Sequence, residues 1–293
     1  MVRVMEPDGA PRVTVLGPTR VDGATPTAAQ RRIIAALAVR RRVGADSDQL
    51  VDAVWGDRPV RTARSSLQNQ IARLRATHGV DLVAQAGGRY HLGVECDAAR
   101  FERLVGRADD ARLDGRHGAD AHRDLGRALA LWQGTPFLDL DLDLDPQLDV
   151  ERARLAGLRT RAVERWSTTE ITHGDPLAAA RVLAAATAED PLHERLVELL
   201  TVALHLGGSR VTALAALEEH VHRVRRDLGV EPSARVLRLG ELVRDGVQVD
   251  PATLERIGGP VASDEVASPR HRCSRRSSRR STGGRWIGPS QPG

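Results

Sequence analysis

The polar and apolar positions of residues 62–75 repeat with the period of an α-helix. Leu67, Ile71 and Leu74 recur at i, i+4 and i+7, which predicts one narrow apolar face directed at a core. The opposite face carries short hydrogen-bonding side chains with arginine and no carboxylate: Ser65, Ser66, Gln68, Asn69, Ala72 and Arg73. Such side chains suit the base edges and phosphates of a DNA major groove. An ordinary surface helix remains the alternative from this stretch alone, although it would normally mix both signs of charge.

The hydrophobic pattern predicts further elements on both sides of this helix. In chain order they are a short hairpin at 12–21, a helix capped by Thr27, a helix capped by Asp46 or Ser47, the helix at 62–78 and a second hairpin at 82–92. Gly87-Gly88 forms the turn of the second hairpin, with Arg89 beside it. Three helices followed by such a hairpin predict a winged helix-turn-helix domain at residues 11–94.

In a winged helix the third helix enters the major groove, and the hairpin approaches a phosphate or the minor groove. The residues expected to supply sequence specificity are Ser65, Gln68, Asn69 and Arg73. Those expected mainly to hold phosphates are Arg64, Arg75 and Arg89, and Arg61 and Thr62 complete the predicted contacts.

The middle of the chain is predicted to be entirely helical. Two helices at 97–115 and 119–134 are followed, from Asp149 onward, by amphipathic helices with breaks at Gly174-Asp175, Asp190-Pro191, Gly207-Gly208 and Gly229. Comparable breaks are separated by roughly 34–37 residues, the spacing of tetratricopeptide-like helix pairs. We therefore predict a mainly α chain with a helical repeat domain at 97–248.

Two segments have compositions that disfavour regular structure. The acidic alternation from Asp139 to Asp145 is interpreted as a solvated loop, because alternating Asp disfavours strands, with a strand-like edge and a partner-binding strip as alternatives. After Gly258-Gly259-Pro260 the sequence becomes rich in Ser, Arg, Gly and Pro, and residues 249–293 are predicted to form a disordered basic tail.

Charge is distributed unevenly over these segments. Residues 1–96 hold 14 arginines against nine acidic residues, residues 97–250 hold 21 against 27, and residues 251–293 hold eight against three. A basic first segment joined to an acidic one indicates a polyanion-binding module attached to a different kind of domain. All 43 basic residues are arginine, which excludes chemistry that needs a phosphate-loop or Schiff-base lysine.

No pattern of catalytic or metal-binding residues emerges. His220 and His222, two residues apart on a predicted helix, point to different faces and are interpreted as surface histidines. Cys96 and Cys273 lie in different segments and form no disulfide scaffold. We expect no enzyme activity, cofactor or metal, and the lack of a long apolar run predicts a cytoplasmic protein without membrane contact.

Several motifs resemble those of one known family. The N-terminal matches are Leu16-Gly17-Pro18, Gln30-Arg31-Arg32, the stretch 48–57 (DQLVDAVWGD) and the stretch 62–68 (TARSSLQ); the later ones are 128–134 (ALALWQG), 191–196 (PLHERL) and 227–232 (DLGVEP). The first group resembles the OmpR-type winged-helix domain of the Streptomyces antibiotic regulatory protein family. The second group resembles that family's bacterial transcriptional activator domain, so the resemblance covers about residues 11–248.

The resemblance implies a transcriptional activator of a secondary-metabolite, antibiotic gene cluster. It implies binding to direct repeats in double-stranded DNA near promoters, pairing as a homodimer on DNA, and contact with RNA polymerase. The competing hypothesis is a helical scaffold or ligand-sensing regulator whose winged helix serves protein contacts. A truncated signalling ATPase regulator is a third reading, weakened by the lack of a phosphate loop.

Overall fold

The structure, a computed structural model, describes residues 10–56, 62–113, 118–140 and 145–257. Among the sequence-based predictions, the contact at Arg61, residues 141–144 of the acidic alternation and the tail after residue 257 lie outside these ranges.

The N-terminal part has the predicted order of elements. They are β1 (Val13–Thr14), β2 (Arg20–Val21), α1 (Ala28–Val39), α2 (Ser47–Trp55), α3 (Ala63–His78), β3 (Val83–Ala86) and β4 (Arg89–Leu92). β1 pairs with β2 and β3 with β4, both antiparallel. Three helices and a C-terminal hairpin make the predicted winged-helix arrangement.

Local capping explains where the first two helices begin. The Thr27 hydroxyl accepts a hydrogen bond from the Gln30 N–H while the Gln30 side chain accepts from the Thr27 N–H at 3.0 Å, a reciprocal capping box. Asp46 and Gln49 repeat this arrangement at α2, so Asp46 rather than Ser47 is the cap. Each box satisfies two backbone groups that would otherwise lack a partner at the helix start.

The middle part is helical, and its successive helices pack against one another. The helices are α4 (Asp97–Leu113), α5 (Ala119–Leu129), α6 (Pro146–His173), α7 (Pro176–Glu189), α8 (Glu194–Leu206), α9 (Arg210–Leu228), α10 (Ala234–Arg244) and α11 (Pro251–Ile257). The breaks between α6 and α10 fall at the four predicted positions. The prediction of a mainly α chain is confirmed.

The predicted start of the disordered tail at residue 249 is wrong. Val249 and Leu254 are fully buried, and α11 covers residues that the prediction assigned to the tail. Arg195 of α8 pairs with Glu255, which holds the last helix from its outer side. The apolar burial of two side chains, together with this pair, extends the folded chain to residue 257.

One hydrophobic core crosses the predicted boundary between the winged helix and the repeat domain. It runs from Val13 to Ala162 and includes Phe101 of α4 and Phe137 beyond α5, both almost fully buried. A second core, from Val163 to Leu254, lies among the later helices. The winged helix therefore shares its core with the first helices of the repeat region, while the boundary at residues 94–97 stays a prediction.

Backbone hydrogen bonds join the two regions at the Leu16-Gly17-Pro18 motif. The Gln133 N–H donates to the Leu16 carbonyl at 2.8 Å, and the Leu138 N–H donates to the Gly17 carbonyl at 3.2 Å. A Cβ on Gly17 would lie 3.0 Å from the Cβ of Gln133, closer than side-chain atoms normally approach. Glycine is therefore needed where these two segments meet.

The two ends of the acidic alternation also bind the winged helix. Asp139 accepts from the Thr19 N–H at 2.9 Å and pairs with Arg31 at 2.8 Å. Asp145 pairs with Arg40 at 2.9 Å, with only 6% and 10% of the two side chains exposed, and it caps α6. The interpretation as a solvated loop is therefore wrong for both ends, because each carboxylate has buried or half-buried partners.

The interpretation of His220 as a surface histidine is also wrong. Its side chain is 2% exposed, and Nδ1 lies 3.0 Å from the Pro191 carbonyl, which joins α9 to the turn before α8. Within the ranges that the structure covers, no group of three or more His, Cys, Asp or Glu side chains is arranged to hold a metal ion. No helix in those ranges is long and apolar enough to cross a bilayer.

Candidate DNA-binding surface

Helix α3 buries the face that its sequence pattern predicts. Leu67, Ile71 and Leu74 are at most 2% exposed and contribute to the core of the winged helix. The exposed positions on and just before the helix are Thr62, Arg64, Ser65, Gln68, Asn69, Ala72, Arg73, Ala76 and Thr77. Six of the nine predicted DNA contacts are thus exposed. We call the exposed positions on and just before the helix the α3 face, and their contact with DNA stays a prediction.

The α3 face has free hydrogen-bonding capacity and no acidic residue of its own. Gln68, Asn69 and Arg73 make no side-chain hydrogen bond within the described parts of the chain. Ser65 donates its hydroxyl to the Thr62 carbonyl at 2.9 Å, which leaves its oxygen lone pairs as acceptors. Free amides beside an unpaired guanidinium can form bidentate hydrogen bonds with base edges or phosphates.

Arg64 differs from Arg73 because it is paired. Its Nε lies 3.1 Å from Oδ1 of Asp48, and its Nη2 lies 2.7 Å from Oδ1 and 2.9 Å from Oδ2 of the same carboxylate. Both side chains remain largely exposed, at 72% and 68%. Asp48 was not among the predicted site residues, since it precedes Arg64 by 16 positions and belongs to α2.

Arg75 and Arg89 lie away from the α3 face. The Nε of Arg75 donates to the Val83 carbonyl at 2.9 Å and so ties α3 to the first strand of the hairpin. Arg89 donates to the carbonyls of Val43 and Gly44 at 2.8 and 2.9 Å and to the side chain of Gln49 at 2.8 Å. Among the described residues these bonds occupy only Nε of Arg75, whereas they use both Nε and Nη2 of Arg89. The role of either arginine in holding a phosphate stays a prediction.

The tip of the β3–β4 hairpin carries no side chain. Gly87 and Gly88 have φ values of +56° and +77°, and Ala86 pairs with Arg89 across the turn. Two successive positive φ angles are characteristic of a type I′ turn, which strongly favours glycine at both positions. Nothing lies within 4 Å of a Cβ built on either glycine, so the tip leaves room for the close approach of another backbone.

A cavity of about 730 Å³ lies in the helical region, between α4, α5 and α6. Ala108, Ala121, Leu125 and Thr168 are among its lining residues. The His122 ring also lines it, stacks on Trp166 and places Nε2 2.7 Å from the Glu170 carboxylate. This size is typical of small-molecule sites.

Comparisons with known proteins agree with this architecture. A family model described as the bacterial transcriptional activator domain matches residues 96–244. Regulatory protein AfsR of Streptomyces coelicolor is 34% identical over 262 residues, which cover 85% of this chain and 25% of that protein. Regulatory protein DnrI of Streptomyces peucetius is 29% identical over 245 residues, covering 79% and 88% respectively.

A solved structure is also similar. It is described as Mycobacterium tuberculosis EmbR in complex with low affinity phosphopeptide. The match has a TM-score of 0.66 and 26% sequence identity, and it covers 85% of this chain and 68% of the EmbR chain. The chain spans about a quarter of the length of AfsR, so the similarity concerns one part of that larger protein. These relatives are named as regulatory proteins rather than enzymes.

Proposed function

The chain belongs to the Streptomyces antibiotic regulatory protein family, whose bacterial transcriptional activator domain it carries, and from that membership we propose that it is a sequence-specific, DNA-binding transcriptional activator. The α3 face is the observation that carries this proposal. It presents Gln68, Asn69 and Arg73 without a side-chain hydrogen bond to any residue that the structure describes, on a helix that has no carboxylate. An exposed helix of this composition favours a polyanion with hydrogen-bonding edges.

The helical region is proposed to contact proteins rather than DNA. Residues 97–250 carry six more acidic residues than arginines, which repels phosphates. Stacked helix pairs form extended surfaces for protein partners. We infer that this region contacts RNA polymerase or a second copy of the chain.

The DNA target is proposed to be a direct repeat near a promoter of secondary-metabolite genes. One winged helix contacts only a few base pairs, which gives little discrimination within a genome. Two copies on repeats spaced by about one helical turn, roughly 10–11 base pairs, would present both α3 faces to the same side of the DNA. Dimerisation on DNA follows from this spacing.

The test is a mobility-shift assay with the full chain and genomic promoter fragments, repeated over a range of salt concentrations. A specific complex should resist random competitor DNA, and its affinity should fall steeply with salt because bound cations are released from phosphates. Arg73→Ala should weaken binding, while Arg238→Ala, which removes an exposed arginine from α10, should leave it unchanged. Complexes that random DNA removes completely, or equal effects of both variants, would contradict the proposal.

The ligand-sensing hypothesis has one supporting observation, the cavity between α4, α5 and α6. Several of its polar groups are paired, as Arg165 is with the Ala108 carbonyl and Thr168 with the Glu164 carbonyl, which favours an uncharged, mostly apolar molecule. Nδ1 of His122 is buried without a partner among the described residues and could take one hydrogen bond from or to such a molecule. A thermal-shift screen of such compounds tests this function, with Ala121→Phe as the control that fills the cavity. A compound that raises the melting temperature of both forms equally binds elsewhere.

A further inference from the structure

We propose that Arg64 reads a guanine in the major groove and that Asp48 is the positioning residue that holds Arg64 for this purpose. The inference rests on the proposed DNA-binding function and concerns the same surface. It assigns Arg64 a role in sequence specificity, where the sequence alone indicated a phosphate contact.

The Asp48 carboxylate occupies only one edge of the Arg64 guanidinium. Asp48 accepts hydrogen bonds from Nε and Nη2 of Arg64, at 2.7 to 3.1 Å. The other edge of the fork, formed by Nη1 and the remaining hydrogen of Nη2, stays available. No side-chain hydrogen bond from Nη1 occurs among the residues that the structure describes.

Guanine is the base whose chemistry matches that free edge. Its major-groove edge offers two adjacent acceptors, O6 and N7, which take two parallel hydrogen bonds from a guanidinium. Adenine presents one acceptor and one donor, cytosine presents a donor, and thymine presents one acceptor beside a methyl group. A fork with two donors is therefore satisfied fully by guanine alone.

Charge argues against a phosphate as the partner of Arg64. The Asp48 carboxylate neutralises the guanidinium and lies on the same exposed surface, so an approaching phosphate meets a pair with no net charge. A base edge carries no net charge, so this neutralisation weakens its hydrogen bonds less than it weakens attraction to a phosphate. Arg73 has no acidic partner in the described structure and is the better phosphate ligand of the two.

The position along the helix agrees with this division. Arg64 is the second residue of α3, and residues at the start of a recognition helix are those that contact base edges. Arg73 lies nine positions later, about 13 Å further along the helix axis. The two arginines therefore face different parts of the DNA.

Pairing also prepares Arg64 for binding before DNA arrives. A free arginine side chain loses rotamer freedom when a base fixes it, and that loss subtracts from the affinity. The three hydrogen bonds to Asp48 restrict the side chain in the free protein. The carboxylate thereby strengthens discrimination between bases although it contacts no base itself.

Selection from a duplex library with a randomised central region tests the inference, using the full chain and the variants Arg64→Ala, Asp48→Asn and Arg73→Ala. The wild-type chain should select a motif with one G·C pair that depends on Arg64. In Arg64→Ala the preference for that G·C pair over the other three base pairs should fall by about 5- to 150-fold. Preferences at the other positions of the motif should not change. Asp48→Asn should reduce the same preference in part, while it raises affinity for random DNA by removing a negative charge.

Arg73→Ala is the matched control for charge. It should weaken binding to all sequences alike and reduce the salt slope by about one, with the guanine preference kept. Thermal melts check folding of the variants, and their melting temperatures should stay close to that of the wild type because the Arg64–Asp48 pair is largely exposed.

Two results would overturn the inference in distinguishable ways. If the wild-type chain selects no motif, the proposed sequence-specific function fails, and base reading by Arg64 fails with it. If the wild-type chain selects a motif but Arg64→Ala weakens all sequences equally, or Asp48→Asn leaves every base preference unchanged, the DNA-binding proposal stands and the guanine assignment fails.

Discussion

Replacing Asp145 with asparagine should destabilise the junction between the winged helix and the helical region. Asparagine keeps the size of the side chain and remains a good N-cap for α6, so the cap should survive. It removes the negative charge opposite Arg40, whose side chain is only 10% exposed. The variant therefore isolates the cost of leaving a buried guanidinium without its anion.

The expected size of this effect follows from burial. Removing one partner of a buried ion pair costs about 3–5 kcal/mol, because the remaining charge stays out of water. Arg40 keeps a hydrogen bond to the Ala36 carbonyl at 3.3 Å, and the asparagine oxygen can still accept one bond. We therefore expect the low end, about 3 kcal/mol, which lowers the melting temperature by roughly 6–12 °C.

Urea denaturation measures the loss in the free energy of unfolding, and the dependence of that free energy on urea concentration (the m value) should not change. Glu219→Gln is the control. Glu219 pairs with Arg223 four residues later on α9, but 57% of its side chain is exposed, so its loss should cost much less than the loss of Asp145. The double variant Arg40→Met/Asp145→Asn should cost less than the two single changes together, because no buried charge is left. If Asp145→Asn proved as mild as Glu219→Gln, the Arg40–Asp145 pair would be solvated and our account of the junction would be incorrect.

Four further outcomes are expected. Asn69→Ala should cost about 1–3 kcal/mol on a selected DNA site and little on random DNA; equal losses in a fluorescence titration would exclude base reading. Arg89→Ala should lower the free energy of unfolding by roughly 2 kcal/mol, because it removes the hydrogen bonds to Val43, Gly44 and Gln49. If stability were unchanged and DNA binding depended less steeply on salt, Arg89 would instead contact a phosphate. Burial raises the pKa of the Cys96 thiol to about 11. In a Cys273→Ser variant, Cys96 of the folded protein should therefore be alkylated at pH 8 about a hundredfold more slowly than Cys96 of the urea-unfolded protein; equal rates would show that the thiol is accessible in the folded protein. Inserting five base pairs between direct repeats should impair cooperative binding and an insertion of ten should restore much of it; indifference in a footprinting assay would exclude pairing of two copies on one side of the DNA.

Local chemistry made much of the fold predictable. The starts of α1 and α2 depend on residues three positions apart, Thr27 with Gln30 and Asp46 with Gln49, and such pairs are visible in any sequence. The exposed and buried sides of α3 follow from the helical period. The type I′ turn at Gly87-Gly88 likewise depends only on neighbouring residues.

Partners of the arginine side chains were not predictable in the same way. The chain has 43 arginines and 39 acidic residues, so sequence alone offers many pairings for each guanidinium. Arg89 reaches back 46 positions to Val43, and Arg64 binds a carboxylate on a different helix. Long side chains with equal charge acquire different roles only when neighbouring helices bring particular groups within hydrogen-bonding distance.

The sequence by itself determined the helices, their breaks and the polar composition of the α3 face, because these depend on residues within about one helical turn of each other. Only the tertiary structure decided that the winged helix shares a core with α4 and α5, and that Asp139 and Asp145 bind the winged helix across the junction. These features join residues more than 100 positions apart. Such contacts depend on how completed elements pack, and hydrophobic periodicity specifies which face of a helix is buried but not which neighbour buries it.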